Sequence, residues 1–427
     1  MRFMHIADVH LGYQQYGLKE RFNDFSRTFL QLIEEALAKR VDFVLLAGDL
    51  FEKRTVDPLA MRVAIQGFTE LHAAGIPVLA IEGNHEKAYY HEQYSWMDFL
   101  DGLGYIRLLN PTFEEGQAIL TPHGDEGGAY VDLPLNAAGD ALLRVYGLKY
   151  YGASIGKAME MFAEALAAMD HSQVQYAILM LHAGLEGQMA HTGRLRYDDV
   201  ALVRGMIDYV ALGHIHKPYE LEDWLYNPGS PETNSMEEVK WPERGYYLVD
   251  IRPGGDPPHA AELISTQRRP FYRFPVKVDT LETPNAVYDA VQKLTVVRAR
   301  DVKRAPAPVV ELRLGGVLPF NRYDLDVNHI QTLVDDAWKP LVTRVKNDTT
   351  PLAFEVRVEE ETSRPELERA IVRDLLARDA RYRPEAKAWA DGALFLKRMV
   401  LEGDTPEAVI AHLRQLRAEL GTAGGEG

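Results

Sequence analysis

The chain has 427 residues, 46% of them hydrophobic and 26% charged, which suits a folded protein of two or three domains and excludes a low-complexity or fibrous one. It has no cysteine, so disulfides, thiolate metal ligands and cysteine nucleophiles are excluded. The net charge of −16, from 47 Lys and Arg against 63 Asp and Glu, argues against a protein that grips nucleic acid by bulk charge. No apolar run nears the roughly 20 residues of a membrane helix, so no membrane association is expected. The start, MRFMHIADVH, runs straight into a strand; no cleavable leader fits there, and a cytoplasmic location is expected.

From residue 1 to about 267, buried strands alternate with amphipathic helices, the pattern of a layered α/β domain. Strands are predicted over 3–7, 41–47, 76–81, 176–181 and 209–212. Phe22, Phe25, Phe29, Leu32, Ile33 and Leu37 step by threes and fours, which makes one helix face apolar and assigns it to the core. Pro58 opens a second helix that runs to Leu71 and ends before Gly75. After Arg268-Arg269-Pro270 a small α+β unit is predicted: a strand over 275–279, a helix over 285–297, a strand over 309–314, a helix over 324–338 and a strand over 341–345. From Ser363 the pattern turns helical, with a Ser363-x-x-Glu366 capping box and a Val409, Leu413, Leu416, Leu420 seam. The glycine-rich tail from Gly421 reads as disordered. The predicted domains are 1–267, 268–361 and 362–427.

Five signatures each follow one of the predicted strands of the first domain: Asp8-Val9-His10, Gly48-Asp49-Leu50, Gly83-Asn84-His85-Glu86, Leu181-His182-Ala183 and Gly213-His214-Ile215-His216. Ligands bind outside the carboxyl ends of strands in open α/β sheets, so the five can converge on one crevice. Phosphodiester hydrolysis needs a strong nucleophile and neutralisation of charge at phosphorus. Two divalent ions roughly 3.5–4 Å apart supply both by acidifying a shared water and clamping phosphoryl oxygens. Carboxylates, a carboxamide and imidazoles without sulfur suit Mn²⁺, Fe²⁺ or Zn²⁺. Period two in an extended D-x-H or H-x-H puts both side chains on one side, so each segment offers a chelating pair. Lys19, Arg21, Lys53, Arg54, Lys87 and Lys217 near the motifs suggest a local cationic rim. The nine other histidines read as surface or core residues.

With these motifs the chain resembles the calcineurin-like metallophosphoesterase superfamily, whose pattern is D-x-H, G-D, G-N-H-D/E, H and G-H-x-H. HIADVHLGYQQ, VLLAGDLFEKR, PVLAIEGNHEK, LMLHAG, ALGHIHKPY and Tyr226-Asn-Pro-Gly-Ser230 resemble the branch of SbcD nucleases and Mre-eleven proteins of double-strand-break repair. The resemblance implies a β-sandwich flanked by helices, a small α+β cap domain, and a helical C-terminal segment. It implies one metal on Asp8, His10, Asp49 and His216, and a second on Asp49, Asn84, His182 and His214, with Asp49 bridging. It assigns His85 to the transition state rather than to metal. It further implies Mn²⁺, DNA as substrate, an SbcC-type coiled-coil ABC ATPase docked on the C-terminal helices, and a homodimer formed through helices of the catalytic domain. Two residues depart from the family. Glu86 stands where Asp is common, and its longer carboxylate is expected to orient His85. Glu52 stands where archaeal members often carry a histidine that positions DNA, and a carboxylate facing DNA would repel phosphate. Lys53 and Lys217 are expected to face substrate. The alternative function is a stand-alone small-molecule phosphodiesterase, which the 160 residues beyond the catalytic domain disfavour.

Overall fold

The computed structural model describes residues 1–88, 94–125, 127–136, 139, 141–188, 195–351, 364–377 and 382–420. Contacts divide the chain into two compact units, residues 1–316 with 323–349 and residues 317–322 with 350–427.

In the first unit two six-stranded sheets pack face to face. One has the order His259–Ser265, Gly245–Ile251, Arg2–Ile6, Phe43–Ala47, Val78–Ile81, Arg107–Leu108; the other runs Tyr219–Leu221, Leu225–Asn227, Tyr209–Gly213, Val174–His182, Leu142–Leu148, Tyr130–Pro134. The central strands of both sheets are parallel. Residue alternation builds the layers. Phe3, Phe43, Leu45, Leu79, Ile81, Ile178, Met180, Tyr209 and Ala211 fill the space between the sheets. Their neighbours Met4, Ile6, Val44, Leu46, Val78 and Ala80 face outward under the helices Lys19–Lys39 and Pro58–Ala73. On the opposite side Leu179, Leu181, Val210 and Leu212 pack beneath the helix Ile155–Ala167. The result is helix, sheet, sheet, helix: the layered α/β sandwich that the sequence pattern predicts. Phe22, Phe25, Phe29, Leu32 and Ile33 are buried as expected, with Leu37 packed at the margin.

Two buried histidines tie the sheets together. His5 meets the Tyr209 hydroxyl through Nδ1 and the Leu212 carbonyl through Nε2, each at 3.0 Å. His259 bonds the hydroxyls of Tyr176 and Tyr226 at 2.7 and 2.9 Å.

A three-stranded parallel sheet, Phe271–Lys277, Val309–Gly315 and Val342–Asn347, carries the helices Pro284–Val297 and Val327–Trp338. Two predicted boundaries shift. The first strand begins four residues earlier than expected and contains Pro275, which an edge strand tolerates because its missing N–H need not join a ladder. The second helix begins at Val327 rather than 324, because Asp326 caps it by accepting from the backbone N–H groups of Asn328 and His329.

The second unit holds a short parallel pair, Val317–Leu318 with Thr350–Pro351, and the helices Arg364–Ala377, Ala386–Glu402 and Pro406–Leu420. Ion pairs Arg369–Asp391 (2.8 Å) and Lys397–Glu368 join the first two helices. Leu375, Phe395, Val400, Leu401, Ile410 and Leu413 remain exposed. The expected Ser363 cap and the tail from Gly421 lie outside the described residues.

Candidate metal centre

All five motifs emerge at the carboxyl ends of central strands, and the backbone there departs sharply from extended geometry. Asp8, His10, Asp49 and His214 have φ of 55°, 52°, 54° and 83°. That left-handed region costs a non-glycine residue roughly 1–3 kcal/mol and persists only where surroundings hold it. So the expected period-two geometry of the D-x-H segment is corrected: a turn, not an extended strand, brings Asp8 and His10 together. The loop is held against its neighbour by Asp8 N donating to Gly48 O, His10 N to Asp49 O and Leu11 N to Leu50 O at 2.7–3.1 Å. Gly48 (φ 85°) is required there, since a Cβ on it would sit 2.2 Å from His182 Nδ1.

The donor atoms of the seven expected ligands gather into two groups, and a third set, His10, Glu52 and His85, lies equally close together beside them. Asp8, His10 and His216 place theirs within 4.8 Å of one another, and so do Asp49, His182 and His214. His10 Nε2 lies 3.2 Å from His216 Nε2. Asn84 Oδ1 joins the second group, 3.2 Å from His182 Nε2 and 2.8 Å from His214 Nδ1. Asp49 Oδ2 stands between them, 3.2 Å from His182 Nε2 and 4.0 Å from His10 Nε2. All seven residues expected to bind metal therefore meet in one place. The set fits divalent cations: imidazole nitrogens and carboxylate oxygens lie within 4.8 Å of one another in each group, with Asp8, His10, Asp49 and His182 buried.

Partners behind the site fix the imidazoles. His182 Nδ1 donates to Ala47 O at 2.7 Å, which leaves Nε2 as the inward donor atom. His216 Nδ1 meets Glu238 Oε1 at 2.9 Å. Burial opposes charge on His182, but the Asp49 carboxylate outweighs it and raises its pKa to about 9. Burial likewise works against ionised Asp49, and His182 more than reverses this, holding its carboxyl far below the usual range. Burial, then the nearby His182 charge, lowers His214 to about 4. The Tyr226–Ser230 segment has a definite task. Asn227 Nδ2 donates to the carbonyls of Ile215 and Lys217 at 2.6 and 2.8 Å, bracing the loop of His214 and His216. Gly229 (φ 70°) lies so close that a Cβ would be 2.5 Å from His216 O.

The profile of calcineurin-like phosphoesterases matches residues 1–218, half of the chain, over the stretch that carries all five motifs. The chain belongs to the calcineurin-like phosphoesterase family. It is 29% identical over 303 residues to the "DNA double-strand break repair protein Mre11" of Aeropyrum pernix, covering 68% of this chain and 66% of that protein. It is 32% identical over 260 residues to the protein of that name from Methanocaldococcus jannaschii (59% and 63%) and 26% over 345 residues to that of Sulfolobus acidocaldarius (78% and 80%). The matched stretch thus spans just under two thirds of the first two relatives.

As a phosphoesterase, the chain treats its flanking residues differently from the sequence expectation. Glu86 does not orient His85. Its buried carboxylate accepts from the backbone N–H groups of Asp49 (3.2 Å), Phe51 (2.9 Å) and Gly83 (2.9 Å), clamping two ligand loops together. The Glu52 backbone carbonyl holds His85, accepting from Nδ1 at 2.6 Å, while His85 N donates to Asp49 Oδ1 at 3.0 Å. The Glu52 carboxylate points at His10, with Oε2 2.9 Å from Nδ1. Among the cations, Lys19, Lys53 and Lys87 are exposed and Lys217 is partly so. Arg21 is not on the rim: it is fully buried, paired with Asp24 and Glu232 at 2.5 and 3.1 Å. A cleft of about 340 Å³ lined by Glu52, Lys53, Arg54, Thr55, Asn84 and His85 opens beside the centre. The residue missed by sequence is Glu238, 22 positions beyond His216 in the short 3-10 helix Met236–Lys240, where no periodicity or motif marks it.

Proposed function

We propose that this phosphoesterase is a divalent-metal-dependent DNA nuclease of double-strand-break repair. The observation that carries this is the convergence of seven donors on two groups with Asp49 between them; the likeness to DNA double-strand break repair proteins supports DNA as substrate. Asp8, His10, Asp49 and His216 would hold one ion, and Asp49, Asn84, His182 and His214 the other; Mn²⁺ fits the mixed N and O set. Ions bound there would acidify water and neutralise charge on the phosphoryl group. His85 is held through Nδ1 by Glu52 O, which leaves Nε2 to meet a phosphate or leaving-group oxygen from a side chain 34% exposed. Lys53 in the wall of the cleft would draw the diester in.

Three further parts of the reading concern assembly. Leu59, Trp96, Phe99 and Leu103, 41–55% exposed on and beside two helices of the catalytic sandwich, suit a homodimer contact. Residues 268–361 suit a cap over DNA. The exposed apolar residues of the helices after 362 suit the root of an SbcC-type coiled-coil ATPase. The test compares linear duplex and hairpin DNA with bis-p-nitrophenyl phosphate, with Mn²⁺ or EDTA, for the full chain and a truncation before Ser363, each with and without the ATPase and ATP. DNA cleavage that needs Mn²⁺, and loss of its ATP dependence but not of small-diester hydrolysis on truncation, is the expected result. Hydrolysis of small diesters alone under every condition would make it a stand-alone phosphodiesterase.

A further inference from the structure

The four imidazoles of the centre differ in what stands behind them. His216 has a carboxylate: Glu238 Oε1 at 2.9 Å from Nδ1. Glu238 is buried, and its other oxygen is occupied by Ser230 Oγ (3.1 Å) and Asn234 N (2.9 Å), with Arg244 Nη2 3.2 Å away. Oε1 is thereby reserved for the histidine. His10 also faces a carboxylate. Its Nδ1 is buried without a hydrogen-bond partner, and Glu52 Oε2 stands 2.9 Å from it as the carboxylate that faces it. On the other side, His182 is backed by the neutral Ala47 carbonyl. His214 turns Nδ1 toward Asn84 and lays its ring 5.3 Å from that of Tyr150.

Charge follows the same division. Beyond the shared Asp49, the group of Asp8, His10 and His216 has one carboxylate of its own and two more directly behind its imidazoles. Among the described residues, the group of Asn84, His182 and His214 has a neutral carboxamide, the Ala47 carbonyl behind His182 and the Tyr150 ring beside His214, while the nearby Glu86 is spent on three backbone N–H groups. A carboxylate behind an imidazole fixes its tautomer and raises its basicity, and losing such a partner typically lowers metal affinity about 10–100-fold. Negative charge nearby also favours a dication directly.

We infer that the two metal positions are unequal: the one formed by Asp8, His10, Asp49 and His216 fills first, and Glu52 and Glu238 are the positioning residues that make it the tighter. This rests on the two-metal reading of the centre. It also gives Glu52 a task distinct from contact with DNA: the residue exchanges a phosphate-facing cation for firmer hold on one ion. The second ion, held by neutral groups apart from the shared Asp49, would exchange more readily, so activity would follow its occupancy.

Metal-free full-length protein titrated with Mn²⁺, with free ion followed by electron spin resonance, should show two classes of site at least about 10-fold apart in affinity. Crystals grown with one equivalent of Mn²⁺ should place the anomalous peak among Asp8, His10 and His216. Glu52→Gln and Glu238→Gln should each weaken the tight class about 10–100-fold and leave the weak class unchanged, with Glu52→Asp recovering part of the loss. Asn84→Ala should remove the weak class alone. Two equal sites, a first peak between His182 and His214, or Gln variants that leave the tight class intact would overturn the inference while leaving a two-metal centre standing. No Mn²⁺ binding would overturn both. Should Glu238→Gln fail to fold, the partly exposed Glu52→Gln decides.

Discussion

His5 links the two halves of the centre from below, and its behaviour in acid is calculable. It lies on the strand Arg2–Ile6 that delivers Asp8 and His10, fully buried, and its Nε2 holds the carbonyl of Leu212 just before His214. That contact makes Nε2 the donor and leaves Nδ1 to accept from the Tyr209 hydroxyl, an arrangement only the neutral ring can make. Burial lowers its pKa from 6.5 to about 3. Between those values the unfolded chain takes up a proton that the fold refuses. The stabilisation is therefore complete above pH 6.5 and is lost as pH falls toward 3. At about 1.4 kcal/mol per unit, the loss is about 2 kcal/mol at pH 5 and about 4 kcal/mol by pH 3. Urea unfolding of metal-free wild type and His5→Gln at pH 7 and pH 5 isolates the effect, because every other titrating group is common to both. Wild type should lose about 2 kcal/mol more than the variant on acidification, whatever their difference at pH 7. Equal losses would refute the reasoning and show that the buried ring accommodates a proton.

Asp49→Ala removes the one carboxylate shared by both donor groups, so elemental analysis should find neither ion retained and hydrolysis should vanish; full loading would sink the bridging role. His85→Ala should keep both ions yet slow hydrolysis about 10²–10⁴-fold, because the Glu52 carbonyl holds its Nδ1 and the other seven side chains make up both donor groups; metal loss in that variant would place His85 among the ligands. Glu86→Ala leaves three buried backbone N–H groups without an acceptor, at about 1–3 kcal/mol each, so denaturant unfolding should show about 3–9 kcal/mol lost. Glu86→Gln keeps one acceptor oxygen and should lose less; equal stability of the Ala variant and wild type would show that the clamp is dispensable.

Much of the fold is legible along the chain because it rests on short-range regularities. Unbroken burial over 3–6, 43–47 and 176–181 marks strands covered on both faces, and three-and-four spacing from Phe22 to Leu37 marks a helix. The motif order likewise named the donors that meet at the centre, since each follows a strand and parallel strands present their carboxyl ends together.

What the chain alone left open depends on groups far apart in sequence. Glu238 is invisible in the sequence because its partnership with His216 is made from a one-turn 3-10 helix, Met236–Lys240, too short for a periodic pattern. Glu86 was assigned to its neighbour His85, yet Asp49 and Phe51, 37 and 35 residues away, claim its oxygens. Arg21 read as a surface cation until Glu232, 211 positions later, closed over it. Left-handed turns at Asp8, His10, Asp49 and His214 contradict local preference and are sustained by cross-loop hydrogen bonds. Sequence determined which side chains could bind metal, because that is chemistry each residue carries by itself. Tertiary structure decided their orientation and charge, because hydrogen bonds and electrostatic fields act through space rather than along the chain.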